Sequence, residues 1–276
     1  MRLIILTTLV MLAFAANSVL GRWAIGGGHM EAVDFGLLRL ASGAAMLWAL
    51  CALRRQGPQE RLGPSLLGGT SLLVYILGFS ISYVALDAGL GALILFGVVQ
   101  VTMFAWGLLR GQAARPLQVG GAALALVGLA YVVWPGEGAE VPLWAAALMG
   151  LGGFGWGVYS LAGRGARDAL GATTVNFTLA SVLLLPWLWI SGDAPVSGLG
   201  ALLAVISGAG TSALGYALWY RILPQIAPPV AATVQLSVPV IAILAGSVIL
   251  GEAIGLRLVV GAVLVLGGIA LVVRGK

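Results

Sequence analysis

Ten long apolar runs, joined only by short connections, set the first limit on how this chain can fold. Their approximate bounds are residues 3–21, 34–53, 66–87, 89–109, 116–134, 141–162, 171–191, 197–221, 228–250 and 256–273. A helix needs about 20 apolar residues to cross the hydrocarbon core of a bilayer. The runs are continuous and do not alternate as the strands of a membrane barrel do. The sequence therefore predicts an all-α integral membrane protein with ten transmembrane helices.

Composition narrows the class of protein further. Of the 276 residues, 61% are hydrophobic and 8% are charged, against about 25% charged in an average soluble protein. The basic residues behind the net charge of +5 flank the apolar runs, which favours membrane anchoring over nucleic-acid binding. The single cysteine, Cys51, excludes an internal disulfide, and the single histidine, His29, argues against a metal cluster or catalytic triad. We expect no catalytic residue, no metal or other cofactor, and no nucleic-acid partner.

The distribution of basic residues predicts the orientation of the chain. If residue 1 lies in the cytoplasm, 11 of the 14 basic residues fall on the cytoplasmic side, and only Arg22, Arg39 and Arg257 lie toward the outside. An excess of Lys and Arg in cytoplasmic connections is the main determinant of membrane orientation. We therefore predict a multi-pass protein of the bacterial inner membrane with both termini in the cytoplasm.

An internal repeat relates the two halves of the chain. Residues 231–273 align without a gap on residues 91–133, and 14 of the 43 positions are identical. Matched glycines carry the similarity more convincingly than the small apolar residues do: Gly111 with Gly251, Gly121 with Gly261, and Gly128 with Gly268. The offset of 140 residues moves the fourth and fifth runs onto the ninth and tenth, so the repeating unit contains five helices.

Because five is odd, the second unit must enter the membrane from the opposite side. The sequence thus predicts two inverted five-helix repeats, residues 1–136 and 137–276, within one integrated transmembrane domain. Inverted repeats are typical of transporters that bind substrate near the bilayer midplane and open alternately to the two sides.

Polar side chains are unevenly distributed among the ten runs. The fifth and tenth runs are almost free of them, so we expect those two helices at the periphery, facing lipid or a second protomer. The first, third, fourth, sixth, eighth and ninth runs carry most of them. Because polar groups are unfavourable in hydrocarbon, these six helices are predicted to line a central cavity.

Several side chains in these runs are candidates for contact with a substrate. Gln100 lies in the middle of the fourth run, where its amide could bind a substrate or hydrogen-bond to a neighbouring helix. Aromatic residues deep in the runs are further candidates, whereas Trp219 looks like an anchor at the cytoplasmic interface. The complete set of predicted substrate-binding residues is Gln100, Tyr83, Trp106, Trp156, Tyr159, Asn17 and Gln235.

Pro239 predicts an irregularity in the ninth helix. Proline has no N–H, so the carbonyl of Gln235, four residues earlier, lacks its helical partner and is left to a side chain, water or substrate. The resulting kink would be either a gate or a static bend. We assign Pro239 a predicted gating role.

Arg39 lies about five residues inside the second run and is expected to be structural. Three interpretations are open: it extends to the outer interface, it pairs with Asp34 or Asp87, or it holds a substrate carboxylate. The pairing is favoured, because charges within membrane spans are usually paired. No acidic residue lies at the centre of a run, so the sequence shows no obvious proton relay.

The sixth run contains a glycine motif that looks like a dinucleotide-binding sequence but is not interpreted as one. Gly150, Gly152 and Gly155 match the G-x-G-x-x-G pattern, but that pattern indicates a dinucleotide site only between a strand and a helix. Gly153 and Gly157 have the spacing that lets membrane helices approach closely. We interpret the run as a helix-packing surface.

The sequence resembles the EamA family of the drug/metabolite transporter superfamily. Residues 237–273 resemble its closing motif, and residues 16–25 and 37–45 resemble its first helix and the arginine-bearing start of its second. The individual positions that carry the likeness are Pro239, Gly251, Glu252, Gly261, Gly268 and Arg39. The resemblance implies ten spans in two inverted halves, and it implies that Glu252 caps the tenth helix.

Members of that family export amino acids or other small metabolites, and one relative of this architecture exports aromatic amino acids. We therefore predict an exporter of amino acids or related small metabolites that works by alternating access, as a monomer or homodimer in the lipid bilayer. A multidrug efflux transporter is the alternative, although such pumps often need a carboxylate within the membrane. An intramembrane enzyme is less favoured.

Overall fold

The structure is a computed structural model. It describes residues 1–274 except 56, 59–61, 112, 114, 135–140, 164–165, 167, 190–195, 223–224 and 227–233. Helices dominate the described residues, and we number them in chain order. They are α1 (Arg2–Gly26), α2 (Ala32–Leu53), α3 (Leu62–Ser82), α4 (Ala88–Leu109), α5 (Pro116–Val133), α6 (Leu143–Gly163), α7 (Ala169–Leu184), α8 (Gly198–Val205, Ile206–Leu214 and Gly215–Ile222 in succession), α9 (Ser237–Leu250) and α10 (Leu256–Arg274).

The helices agree with the predicted spans. Among the described residues, nine helices are long and apolar enough to cross a membrane, and α9 is a shorter apolar helix of 14 residues. The prediction of an all-α protein with ten apolar membrane helices is confirmed. A short 3₁₀ segment, Leu185–Trp189, extends α7.

Helices α5 and α10 form a pair at the edge of the bundle. They are the least buried of the nine long apolar helices, which confirms their predicted peripheral position, and they pack extensively on each other. A Cβ atom added at Gly268 would lie 2.5 Å from the carbonyl oxygen of Gly121 and 2.6 Å from the amide nitrogen of Ala125. The matched glycines therefore allow two backbones to come into direct contact.

The glycines of α6 pack against two helices, which confirms their predicted role in close packing. A Cβ at Gly152 would lie 3.1 Å from the backbone nitrogen of Phe79 on α3, and one at Gly153 would lie 2.7 Å from the carbonyl oxygen of Leu95 on α4. Larger residues would force α6 away from both neighbours. This close packing holds α3, α4 and α6 together at one side of the bundle.

The helix contacts form related pairs. The packing of α3 on α6 corresponds to the packing of α8 on α1. In the same way, the contact of α4 with α6 corresponds to that of α9 with α1, and the contact of α3 with α7 corresponds to that of α8 with α2. A shift by five helices exchanges the members of each pair. The pattern is the one that two five-helix repeats would produce, and the repeat assignment itself stays a prediction.

Candidate functional site: a central aromatic cavity

A small cavity lies near the middle of the long helices. Its wall comes from α1, α3, α4, α6 and α8, which are five of the six helices predicted to line a cavity. No described residue of α9, the sixth, belongs to the wall. The lining residues are Phe14, Asn17, Ser18, Tyr75, Phe79, Leu95, Phe96, Trp156 and Tyr216.

The cavity is nearly closed in this conformation. Its volume is about 10 Å³, which is close to the space that a single water molecule requires. Any larger ligand would need the surrounding helices to move apart. The two predicted halves both contribute to the wall, since α1, α3 and α4 belong to residues 1–136 and α6 and α8 to residues 137–276.

Aromatic rings form most of the cavity wall, with Trp156 at the centre of the cluster. Its ring centroid lies 4.8 Å from that of Tyr216, 5.0 Å from that of Tyr75 and 5.3 Å from that of Tyr159, on which it stacks at an interplanar angle of 27°. Phe14 meets both Trp156 and Tyr216 edge to face. Such a wall suits a flat or apolar cargo.

A hydrogen-bond network joins α1 to α8 beside the rings. The Oδ1 atom of Asn17 accepts from the hydroxyls of Ser207 at 2.8 Å, Thr211 at 2.6 Å and Ser212 at 3.3 Å. The three donors lie within Ile206–Leu214, where α8 widens into a π-helix. Wide turns of this kind are common at functional sites, and here the turn brings residues four and five apart to one acceptor.

Arg39 is fully buried beside this network. Its Nε donates to the hydroxyl of Ser212 at 3.1 Å, and its Nη2 donates to the hydroxyl of Tyr75 at 2.9 Å. The guanidinium carbon lies 4.7 Å from the ring centroid of Phe79, which is within cation–π range.

The predicted pairing of Arg39 with Asp34 or Asp87 is wrong. Asp34 accepts from the indole N–H of Trp187 at 3.2 Å, and Asp87 is bound by Arg22 at 3.5 Å. Five residues along a helix correspond to a rotation of about 140° between side chains, so Asp34 and Arg39 point in different directions. The Nη1 atom of Arg39 is buried and has no hydrogen-bond partner in the part of the chain that the structure describes.

The structure brings some of the predicted substrate-binding residues together. Asn17 and Trp156 line the cavity, and the buried side chains of Tyr83 and Tyr159 lie behind its wall, where they contact Phe79 and Trp156. The hydroxyl of Tyr83 donates to the carbonyl of Ala88 at 3.3 Å.

The other predicted residues lie farther along the helices. Gln100 is half-buried on α4, one turn beyond the lining residue Phe96. Trp106 is 42% exposed, with the guanidinium of Arg110 4.8 Å from its ring centroid. Gln235 is half-buried just before α9.

Pro239 lies within the first turn of α9 rather than in the middle of a helix. The helical turn at residues 234–235 ends at Leu236, and the hydroxyl of Ser237 donates to the carbonyl of Val234 at 2.6 Å. A proline is tolerated in a first turn because the N–H it lacks would have no intrahelical partner there. The break in the helix thus precedes the proline.

Seven lining residues are not among the predicted substrate-binding residues: Phe14, Ser18, Tyr75, Phe79, Leu95, Phe96 and Tyr216. The spacing of Tyr75 and Phe79, four residues apart on one helix face, is a signal that could have found two of them. The interpretation of Trp219 as an interface anchor is wrong. Trp219 is buried, with its ring centroid 6.1 Å from that of Phe14.

A second polar cluster ties three connections together at one end of the bundle. Both carboxylate oxygens of Glu252 accept from the backbone N–H of Ala88, at 2.8 and 3.0 Å, and Arg22 lies 3.7 Å from the same carboxylate. The Nη1 atom of Arg22 also donates to the carbonyl of Tyr83 at 3.0 Å. By the predicted orientation this outer clamp, formed by Arg22, Asp87, Ala88 and Glu252, lies on the outside.

The prediction that Glu252 caps α10 is wrong, because Glu252 caps α4 instead. Gly251 turns the chain with φ +70°, and α10 begins only at Leu256, so the carboxylate faces the first residue of α4. A carboxylate there also complements the positive end of the helix. Burial raises the pKa of Glu252 above its ordinary value of 4.5, and the hydrogen bond from Ala88 opposes that rise.

Comparison with known proteins assigns the chain to a family. Residues 143–274, from α6 to the end of α10, match the EamA-like transporter family. An uncharacterized protein of Pseudomonas aeruginosa is 46% identical over 279 residues, covering 100% of this chain and 96% of that protein. A solved protein crystal structure superposes with a TM-score of 0.68 at 18% identity, covering 96% of this chain and 95% of that chain. An identity this low shows a shared fold alone.

The apolar helices and their central cavity define a multi-pass helical membrane protein. Within that class, the chain belongs to the EamA-like transporter family of the drug/metabolite transporter superfamily, as the sequence predicts. The proteins of this family are membrane transporters and not enzymes.

Proposed function

We propose that this protein exports amino acids or related small metabolites across the bacterial inner membrane by alternating access. The observation that carries the proposal is the central aromatic cavity, which lies near the middle of the helices and takes its wall from both predicted halves. A binding site at that depth can be reached from either side when the halves rock against each other.

The closed cavity supports a mechanism with moving helices. Room for about one water means that cargo enters only after the aromatic wall separates on one side. The outer clamp would hold the outside closed, because it joins the ends of α1 and α4 to the connection before α10. Breaking the clamp would then open the cavity outward.

Particular roles follow from the positions of the side chains. Trp156, Tyr159 and Tyr83 would form or support the surface on which an apolar side chain packs, and Asn17 would help to fix the polar end. Gln100, Trp106 and Gln235 would contact cargo along the path outside the closed cavity. The break before Pro239 would let the start of α9 move.

The alternative of multidrug efflux has less support. No carboxylate lines the cavity among the described residues, and the buried charge beside it is the cation Arg39. A site of that charge repels the cationic compounds that such pumps commonly carry.

The proposal is tested by measuring flux into proteoliposomes that contain the purified protein, with a panel of amino acids, nucleosides and cationic drugs. We expect selective flux of amino acids or related metabolites. Trp156→Ala should reduce it by at least about 10-fold, since large apolar contact is lost. Trp144→Ala serves as the matched variant, because Trp144 is an exposed tryptophan of the same helix, and should have a much smaller effect. Absence of amino-acid or metabolite flux across the panel would contradict the proposal.

A further inference from the structure

The charge beside the cavity has no counter-ion. Arginine stays protonated in proteins, and Arg39 is fully buried in the middle of the bundle. The described residues contain no acidic partner for it, and its two side-chain hydrogen bonds go to neutral hydroxyls. An unpaired buried cation is strongly unfavourable, so the site is incomplete without an anion.

The position of Arg39 connects it to the cavity. Tyr75 and Phe79, which flank its guanidinium, are themselves parts of the cavity wall. Ser212 links its Nε to Asn17 on the same wall. Separation of these rings, which cargo entry requires, would uncover the guanidinium that they flank.

The same wall offers little to a cationic group. Of the residues that the structure describes, none with a carboxylate lines the cavity. The Oδ1 atom of Asn17, the obvious neutral acceptor, already receives three hydroxyls. The remaining acceptors in the wall are neutral, namely the hydroxyls of Ser18, Tyr75 and Tyr216 and the ring faces, so an ammonium group meets no opposite charge there.

We propose that the cargo is a carboxylate with a flat or apolar body, that Arg39 binds the carboxylate through Nη1, and that an α-amino group is not required. This inference rests on the proposed transport function and narrows it to a charge class. A monoanion fits the site best, a zwitterion fits less well and a cation fits worst.

Three probes that share one ring but differ in charge test the ranking. We would measure proteoliposome flux of 3-phenylpropionate, phenylalanine and phenylalaninamide at about pH 6, where they are an anion, a zwitterion and a cation. The wild type should transport the first two at least about 10-fold faster than the third, the factor that a lost charged hydrogen bond produces. Ligand-induced thermal stabilisation of the purified protein should follow the same order.

Variants of Arg39 assign the preference to this side chain. Arg39→Gln should lower the acid-to-amide ratio roughly 10- to 100-fold, the range expected for a lost hydrogen bond between charged groups. Arg39→Lys should retain part of it. Arg257→Gln removes a half-buried arginine outside the cavity wall, which donates to the carbonyl of Tyr131, and should leave the ratio unchanged.

Failure of this inference is distinguishable from failure of transport. Equal flux of acid and amide in the wild type, or an unchanged ratio in Arg39→Gln, would overturn the anion site while leaving transport intact. If Arg39→Gln does not fold, the wild-type ranking and Arg39→Lys decide the matter. No flux of any of the three probes would overturn the anion site, whereas only the absence of flux across the whole amino-acid and metabolite panel would overturn transport.

Discussion

At the scale of single residues, a chain of polar contacts links Arg39 through Ser212 to Asn17. It joins side chains from α2, α8 and α1, which are far apart in the sequence. Networks of this kind are stabilising when every member is satisfied. Asn17 is the shared acceptor, so its removal affects more than one hydroxyl.

Asn17→Ala should therefore lower the free energy of unfolding by about 1–2 kcal/mol, since interhelical hydrogen bonds in membranes are each of modest strength. The measurement is thermal unfolding of the detergent-solubilised protein. Thr70→Ala is a suitable control, because the exposed hydroxyl of Thr70 donates to two carbonyls of its own helix and to no other helix among the described residues. Equal melting temperatures for wild type and Asn17→Ala would mean that the network contributes nothing to stability.

The sequence predicts part of this site and misses the rest for a physical reason. Asn17 and Trp156 stand out as polar or amphipathic groups inside apolar runs, which is a local signal. The partners of Arg39 are not locally encoded, because Ser212 lies 173 positions away and comes into reach through the π-helical turn. Proximity in sequence favours Asp34, which points in another direction.

At the scale of helices, the contact between α5 and α10 depends on glycine. Gly268 lies against backbone atoms of Gly121 and Ala125, while its neighbour Gly267 has open space where a Cβ would be. The two adjacent glycines thus provide an internal comparison. Both the helices and their matched glycines are visible in the sequence, whereas the contact of the two helices with each other is not.

Gly268→Val should destabilise the protein by about 1–3 kcal/mol or more, as overpacking generally does, and Gly267→Val should be much milder. Because the same β-branched residue enters the same helix in both variants, helix propensity cancels. The measurements are the melting temperature and, by size-exclusion chromatography, the monodispersity. Similar losses in both variants would show that packing is not the cause.

The outer clamp predicts a dependence of stability on pH. Because burial raises the pKa of Glu252, the folded protein binds this proton more tightly than the unfolded chain does. The stability from this group is then complete below the ordinary value of 4.5 and is lost as the pH rises through the raised pKa. Arg22 and Asp87 are the charged groups that face it.

Glu252→Gln should remove this contribution to the pH dependence, because an amide oxygen can still accept from Ala88 but does not titrate. The melting temperature of the wild type relative to the variant should fall as the pH rises above 4.5. Glu31→Gln, at an exposed acid of another connection, controls for general charge effects. Parallel curves for wild type and Glu252→Gln would contradict the assigned pKa shift.

At the scale of the whole molecule, the inverted repeat makes a prediction about sidedness. Ala113 and Ala253 are identical, repeat-related and exposed, and two inverted halves place them on opposite faces of the membrane. In intact cells with a permeable outer membrane, an impermeant maleimide should label Ala253→Cys but label Ala113→Cys only after lysis. The wild type gives the background, because its single thiol, Cys51, is buried. Labelling of both from one side would contradict the inverted topology.

The fold can be predicted at this scale because lipid imposes helical spans, and the orientation stays a prediction from the charge bias. The cap on α4 cannot be predicted from the sequence, since it depends on how two distant connections meet.

The cap on α4 has a consequence for how a chain of this kind can diverge or be recombined. A helix start within residues 1–136 is completed by Glu252, supplied by the later half, so the earlier half is not self-sufficient at that point. A chimera that imports the later half from a relative keeps the cap only where that relative carries an acceptor side chain facing Ala88.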